Sequence, residues 1–122
     1  MPIENGSADP TTESVPLLAR ILVVEDEEAV LRVISKALAR KGYEVDTAGD
    51  GLSALQKLKA SHYDAVITDV NLPGANGFQV LDACRQQAEP PSVLLITGRA
   101  EVRAAVDAMR RGAADYVEKP IE

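Results

Sequence analysis

Polar residues that could bind a ligand or take part in a reaction stand at the ends of apolar runs at four points of the sequence. In chain order they are Glu25 and Asp26 after "ILVV", Asp69 and Asn71 at and after the end of "DAVITD", Thr97 and Gly98 at the end of "SVLLIT", and Glu118, Lys119 and Pro120 after "DYV". An acid at the end of an apolar run is costly to bury unless a partner offsets its charge. These residues therefore call for partners, and they are candidates for one another.

Three carboxylates in this set, those of Glu25, Asp26 and Asp69, would repel one another if they met. Two unit charges roughly 4 Å apart cost about 4 kcal/mol at an effective dielectric constant of about 20. Such a cluster either raises a pKa or holds a cation. Carboxylate oxygens with open water positions suit Mg²⁺. Zinc is disfavoured, because no histidine stands at these points and Cys84 falls in a helical pattern. With a metal bound, a carboxylate beside a hydroxyl and a lysine predicts a phosphoryl site with Asp69 as a possible nucleophile.

The elements that must position these residues alternate between strand and helix patterns. Apolar spacing at i, i+3 and i+4 predicts a helix from Glu27 to Lys41, and three further helices follow the same rule. Asp50 is the predicted N-cap of the second helix. Between them lie five short strand patterns, "RILVVE", "YEVDTA", "DAVITD", "SVLLIT" and "DYVE". Alternation of this kind predicts an α/β fold with a doubly wound, parallel, five-stranded sheet. In such sheets ligands bind at the carboxyl ends of the strands, where all the candidate residues fall.

Each candidate residue also has an ordinary structural explanation when it is taken alone. Asp69 would suit a turn or a helix cap, and Thr97 would suit an N-cap. Lys119 would be a solvated surface charge, and Tyr116 a half-buried core ring. Their joint placement at successive strand ends is what favours a functional site.

Composition restricts the class of partner. The formal net charge is −6 for 122 residues, which argues against nucleic-acid binding and leaves cations and basic protein faces as partners. The sequence has one cysteine, no apolar run of membrane-spanning length and no signal peptide, so we predict a cytoplasmic domain without membrane contact. Residues 1–18 are polar and aperiodic, which predicts a flexible leader before a single domain at residues 19–122.

Four segments together resemble the receiver (CheY-like) domain of bacterial two-component response regulators, from about Ala19 to Glu122. They are "ILVVEDEEAV", "ITDVNLPGANG", "LLITG" and "AADYVEKP". Each segment alone is weak, and their ordered combination is specific. The resemblance implies the flavodoxin-like sheet with strand order 2-1-3-4-5. It also implies a phosphorelay protein that accepts a phosphoryl group from a sensor histidine kinase or phosphotransfer protein.

The resemblance assigns the acceptor and the metal ligands. Asp69 corresponds to the phospho-acceptor, which becomes a 4-aspartylphosphate. Asp26 corresponds to a direct Mg²⁺ ligand, Glu25 to a ligand that acts through water, and Asn71 to a ligand through its backbone carbonyl. Asp69 also belongs to this metal-ligand set. Asn71 also flanks the site where water would attack the phosphoaspartate.

The remaining roles concern the phosphoryl group itself. Thr97 and Lys119 are expected to contact its oxygens, and Gly98 to keep the approach clear. Arg99 is expected to influence the lifetime of the phosphoaspartate. The bond between Lys119 and Pro120 is expected to be cis.

A conformational switch follows from the same resemblance. Thr97 is expected to move towards the phosphoryl group and the Tyr116 ring to rotate into the space left behind. The fourth helix and fifth strand would then repack and expose a face for an output or a homodimer. We expect a signalling domain that loses its phosphoryl group by its own slow hydrolysis, and not an enzyme with turnover.

Three features depart from the common pattern, and two rival functions remain. The acidic pair is Glu-Asp, Leu72 stands where Met is frequent, and the sequence stops three residues after Lys119. The family's fifth helix and any output domain would therefore be absent, as in a fragment of a longer protein, or a partner would cover the gap. A haloacid-dehalogenase-type phosphatase would want an acid where Asn71 stands. A receiver-like module that binds partners without phosphorylation is the other rival.

Overall fold

The computed structural model of the protein describes residues 19–98 and 102–119. The predicted leader at residues 1–18, Arg99 and Pro120 lie outside these ranges, and so does the predicted cis bond. The elements, in chain order, are β1 (Arg20–Val24), α1 (Glu28–Arg40), β2 (Glu44–Ala48), α2 (Gly51–Ala60), β3 (Ala65–Asp69), α3 (Gly77–Arg85), β4 (Ser92–Thr97), α4 (Val102–Arg110) and β5 (Asp115–Glu118).

The five strands form one parallel sheet in the order β2-β1-β3-β4-β5. This confirms the predicted doubly wound fold and its strand order. The register aligns the carboxyl ends of the strands, since Val24 pairs with Thr68, Asp69 with Ile96, and Thr97 with Glu118. Residues that follow the strands therefore emerge at one edge of the sheet.

Local side-chain caps start two of the helices that flank this edge. Asp50 accepts a hydrogen bond at 2.7 Å from the backbone N–H of Ser53, which confirms it as the N-cap of α2. Asn76 and Gln79 form a reciprocal capping box at the start of α3, with bonds of 3.0 and 2.8 Å. A cap of this kind stabilises a helix by about 1 kcal/mol. The caps fix where the loops after β2 and β3 must end.

The two faces of the sheet are covered unequally. Helices α2, α3 and α4 pack on one face, over the larger core cluster, whose buried members include Leu22, Leu58, Val66, Val80, Leu81, Leu95 and Ala108. On the other face α1 is the one helix of the described residues that packs, over Ile21, Val23 and Ile96. There Val117 is 40% exposed beside a hollow of about 160 Å³. None of the helices in the described residues is long and apolar enough to cross a membrane.

A polar network ties the amino-terminal end of the sheet together. Asp46 on β2 accepts hydrogen bonds from the Tyr63 hydroxyl at 2.7 Å and the Arg20 guanidinium at 3.0 Å. The Arg20 guanidinium also lies 5.2 Å from the centre of the Tyr63 ring. The Tyr63 hydroxyl is the foremost cause of the lowered pKa of Asp46. Burial and the bond to Asp46 raise the pKa of Tyr63 to about 12.

Candidate functional site

Three carboxylates meet at the carboxyl edge of the sheet, as the sequence predicts. One oxygen from each of Glu25, Asp26 and Asp69 lies within 4.8 Å of the others. Glu25 follows β1 and Asp69 is the last residue of the neighbouring β3, and both are buried, whereas Asp26 is exposed. Two buried carboxylates side by side are costly unless cations neutralise them.

Lys119 supplies one such cation. Its side chain crosses β4 from the end of β5, so that Nζ lies 2.7 Å from Oδ2 of Asp69 and 3.2 Å from Oε1 of Glu25. Burial alone would lower the pKa of Lys119, but the interactions with Asp69 and Glu25 outweigh it and raise the pKa above its ordinary value. The backbone N–H of Lys119 donates to the Thr97 carbonyl at 2.8 Å, which ties the root of the side chain to β4. The lysine is therefore charged and held in place.

The Glu25 carboxylate is only partly satisfied. Its Oε2 atom accepts a hydrogen bond from the backbone N–H of Glu27 at 2.8 Å. Its Oε1 atom is buried and has no hydrogen bond, although Nζ of Lys119 lies at ion-pair distance. Burial raises the pKa of Glu25, and the negative charge of Asp69 acts in the same direction. A buried oxygen of this kind, beside two other carboxylates, fits a hard divalent cation.

Asp69 is held from both sides. Its Oδ1 atom accepts from the backbone N–H of Asn71 at 3.1 Å, and its Oδ2 atom accepts from Lys119. The loop after β3 folds back closely, because the N–H of Gly77 donates to the Val70 carbonyl at 2.9 Å. A Cβ atom at Gly77 would collide with the backbone carbonyl of Asp69. Glycine at this position therefore lets α3 start directly beside the acid.

Thr97 reaches the same edge, but its hydroxyl is turned to a local partner. The side chain is fully buried and its Oγ1 atom donates to the Gly98 carbonyl at 3.0 Å. Apart from its chain neighbours, no described residue has a heavy atom within 4 Å of a Cβ built on Gly98. The structure thus places Thr97 and Gly98 at this edge of the sheet. Within the described residues, neither makes a hydrogen bond to Glu25, Asp26 or Asp69.

Tyr116 is on β5 beside Leu95 of β4, and β4 separates it from Asp69 at the end of β3. Its ring is partly buried and packs against the larger core cluster. On the neighbouring helix α4, Val106 is 40% and Met109 is 37% exposed. The predicted switch residue therefore lies near an apolar surface on α4.

The structure adds one residue that the sequence reasoning did not identify. Oε1 of Glu27 lies 3.6 Å from Nζ of Lys119, and its side chain is 62% exposed. Glu27 belongs to the run "EDEE", and such a run usually indicates a solvated helix start. Its position directly after the acidic pair was the only available signal.

Comparisons of the sequence and of the structure with known proteins point to the same family. Residues 21–122 match the family model described as the response regulator receiver domain. The chain is 42% identical over 101 residues to the transcriptional regulatory protein TcrA of Mycobacterium tuberculosis, covering 83% of this chain and 40% of that protein. It thus spans about two fifths of that relative's length.

Two solved structures illustrate the similarity in fold. A response regulator receiver domain protein from Clostridium thermocellum has a TM-score of 0.79 and 33% identity, over 86% of this chain and 85% of that one. The response regulator TrrA of Thermotoga maritima, solved in complex with Mg²⁺ and BeF, has a TM-score of 0.75 and 34% identity, over 86% of this chain and 90% of that one.

Proposed function

The chain belongs to the response regulator receiver domain family, and from this premise we propose that Asp69 is its phosphoryl acceptor. Membership confirms the resemblance seen in the sequence. Receiver domains are signalling domains of two-component systems and not enzymes with turnover. The observation that carries the proposal is the ammonium of Lys119 at 2.7 Å from a buried carboxylate of Asp69, beside Glu25 and Asp26.

The donor that we propose is a phosphohistidine on a sensor kinase or phosphotransfer protein. A carboxylate oxygen of Asp69 forms the new bond to phosphorus while the bond from phosphorus to the imidazole nitrogen breaks. The imidazole leaves with the bonding electrons. Lys119, already charged and in contact with Asp69, neutralises the oxygens of the transferred group. The chain has a formal net charge of −6, so a protein donor with a basic face would complement its charge.

Mg²⁺ is the cofactor that we propose for the carboxylate cluster. Asp26 would bind it directly, and Glu25 would act through water. Asp69 and the Asn71 backbone carbonyl would complete the protein ligands. The buried Glu25 oxygen without a hydrogen bond and the excess of carboxylates support this assignment. When bound, the ion supplies positive charge that allows the phosphoryl oxygens to approach three acids.

The switch that we propose couples Asp69 to α4 through Thr97 and Tyr116. Phosphoryl oxygens offer the Thr97 hydroxyl a charged acceptor in place of the Gly98 carbonyl that it now contacts. Movement of Thr97 would free space for the Tyr116 ring and shift α4. The exposed Val106 and Met109 side chains on α4 then provide the face for a homodimer or an output partner. Asn71 and Arg99 would set the rate at which water removes the phosphoryl group.

The test is intact mass spectrometry after incubation with acetyl phosphate and Mg²⁺. We expect one added phosphoryl group on the wild-type chain and none on Asp69→Ala. Asp107→Ala is the matched control, because that aspartate is exposed on α4 and pairs only weakly with Arg110, at 3.9 Å. An adduct on Asp69→Ala, or no adduct on folded wild-type protein, would contradict the proposal. The second result would favour a binding module that works without phosphorylation.

A further inference from the structure

Glu27 stands at the mouth of the acidic site and touches the lysine that serves it. Its carboxylate lies 3.6 Å from Nζ of Lys119, on the solvent side of the buried Glu25 and Asp69. Its side chain makes no cap hydrogen bond to α1, although the residue occupies the N-cap position. The carboxylate therefore makes no direct hydrogen bond to the helix, and its ion-pair partner among the described residues is Lys119.

The number of charges around Lys119 shows how Glu27 changes the net charge of the site. Nζ of Lys119 pairs with Glu25, Glu27 and Asp69, and Asp26 belongs to the same cluster of acids. Counted over these five described residues, the formal net charge is −3. A bound divalent cation would leave a net charge of −1. Without the Glu27 charge the loaded site would be neutral. Asp26 is also exposed, but it is the proposed metal ligand, so Glu27 is the exposed carboxylate whose charge is left to repel an arriving anion.

We infer that Glu27 selects phosphoryl donors by their charge, disfavouring small, doubly negative donors relative to less charged ones. The inference rests on the proposed phosphoryl transfer to Asp69 and goes beyond it, because it concerns which donors reach that residue. Two unit charges about 6 Å apart in water change an encounter by about threefold. Each further negative charge on the donor therefore adds a factor of about three to the discrimination.

Two small donors differ in charge but deliver the same group. Acetyl phosphate carries two negative charges at neutral pH, and phosphoramidate, a zwitterion, carries one net negative charge. With acetyl phosphate, an Asp69 oxygen bonds to phosphorus, the bond from phosphorus to the acetyl oxygen breaks, and acetate leaves. With phosphoramidate, the phosphorus–nitrogen bond breaks and ammonia leaves. The ratio of the two rates therefore reports donor charge at one acceptor.

The experiment measures both rates on wild type, Glu27→Gln and Glu28→Gln at saturating Mg²⁺ and low ionic strength. Glu28 is the matched control, because it lies one residue further on, is 82% exposed and pairs with Arg32 instead of Lys119. We expect Glu27→Gln to raise the ratio of the acetyl phosphate rate to the phosphoramidate rate about threefold. Glu28→Gln should leave the ratio near that of wild type. Salt should shrink the Glu27 effect, since screening weakens exposed charges.

The outcomes separate this inference from the proposed function. If wild type takes no phosphoryl group from either donor, the proposed function fails and this inference falls with it. If wild type is phosphorylated but the ratio is the same in all three proteins, only the inference is wrong. Equal increases in both glutamine variants would likewise overturn it, because they would show an effect of net charge alone. A merely structural role for Glu27 would change both rates together and leave the ratio unchanged.

Discussion

The two ends of the sheet each carry a cluster of charged side chains, and the clusters differ in their ratio of carboxylates to hydrogen-bond donors. At the amino end, the carboxylate of Asp46 receives hydrogen bonds from both the Arg20 guanidinium and the Tyr63 hydroxyl, and Asp64 accepts one from the Arg20 backbone N–H. At the carboxyl end, several carboxylates share the ammonium of Lys119. In the first cluster the Asp46 carboxylate is paired with a cation and accepts two hydrogen bonds, although Nε of Arg20 is buried without one, so the cluster is balanced in charge and stabilises the fold. The second has an excess of negative charge, so it needs a cation from outside. The ratio of donors to carboxylates thus distinguishes a structural cluster from a functional one.

The largest expected effect concerns the functional end. Lys119→Ala removes the only described ammonium beside Asp69, and we expect phosphorylation by acetyl phosphate to slow by about a hundredfold. The rate is measured by intact mass against time at saturating Mg²⁺. Lys59→Ala, which removes an exposed lysine from α2, is the control and should keep the wild-type rate. Equal rates in both variants would show that Lys119 is not needed for the transfer.

A second variant tests the structural end. Asp46→Ala leaves the buried Tyr63 hydroxyl without its acceptor and Arg20 without its ion-pair partner. We expect the free energy of unfolding to fall by about 2 kcal/mol, as measured by urea denaturation. The phosphorylation rate of the folded protein should not change. A large loss of phosphorylation with little loss of stability would reverse the roles assigned to the two ends.

The smallest effect sharpens the same comparison through pH. Tyr63→Phe removes one hydrogen bond to Asp46, so the free energy of unfolding should fall by about 1 kcal/mol at neutral pH. Because folding raises the pKa of Tyr63 from 10.0 to about 12, the folded state holds this proton more tightly than the unfolded state. The Tyr63 contribution is therefore complete below about pH 10 and is lost as the pH rises towards 12.

Denaturation at several alkaline pH values gives the difference between wild type and Tyr63→Phe. This difference should shrink across that range. A difference that stays constant would show that Tyr63 does not titrate in the way its burial requires. The contribution of the neighbouring Asp46 to stability depends on pH in the opposite direction. Because folding lowers the pKa of Asp46, its contribution is lost as the pH falls through the folded-state pKa.

Much of the fold was predictable because its signals are local. Short strand patterns between helical patterns predicted all five strands. The place of Asp50 before an apolar helix predicted its role as a cap. The convergence of Glu25, Asp26 and Asp69 followed from parallel topology, since carboxyl ends of parallel strands share an edge. These predictions needed no knowledge of side-chain conformation.

The parts that escaped prediction depend on contacts between distant segments. Asp46 lies in a polar edge strand and Tyr63 in the turn before β3, and only folding brings them to Arg20. Glu27 lay within a run of acids, and its proximity to Lys119 depends on a side chain that crosses from the end of β5. The bond from Thr97 to Gly98 likewise reflects a choice between partners that sequence spacing does not encode.

Unfolding with and without saturating Mg²⁺, in wild type and in two aspartate variants, tests most directly whether the overcharged end is the functional one. A ligand that binds only the folded state raises the free energy of unfolding. We predict that Mg²⁺ stabilises wild type and Asp46→Asn by the same amount and has little effect on Asp26→Asn, which lacks the exposed ligand of the cluster. No stabilisation of wild type, or equal stabilisation of all three proteins, would contradict the account.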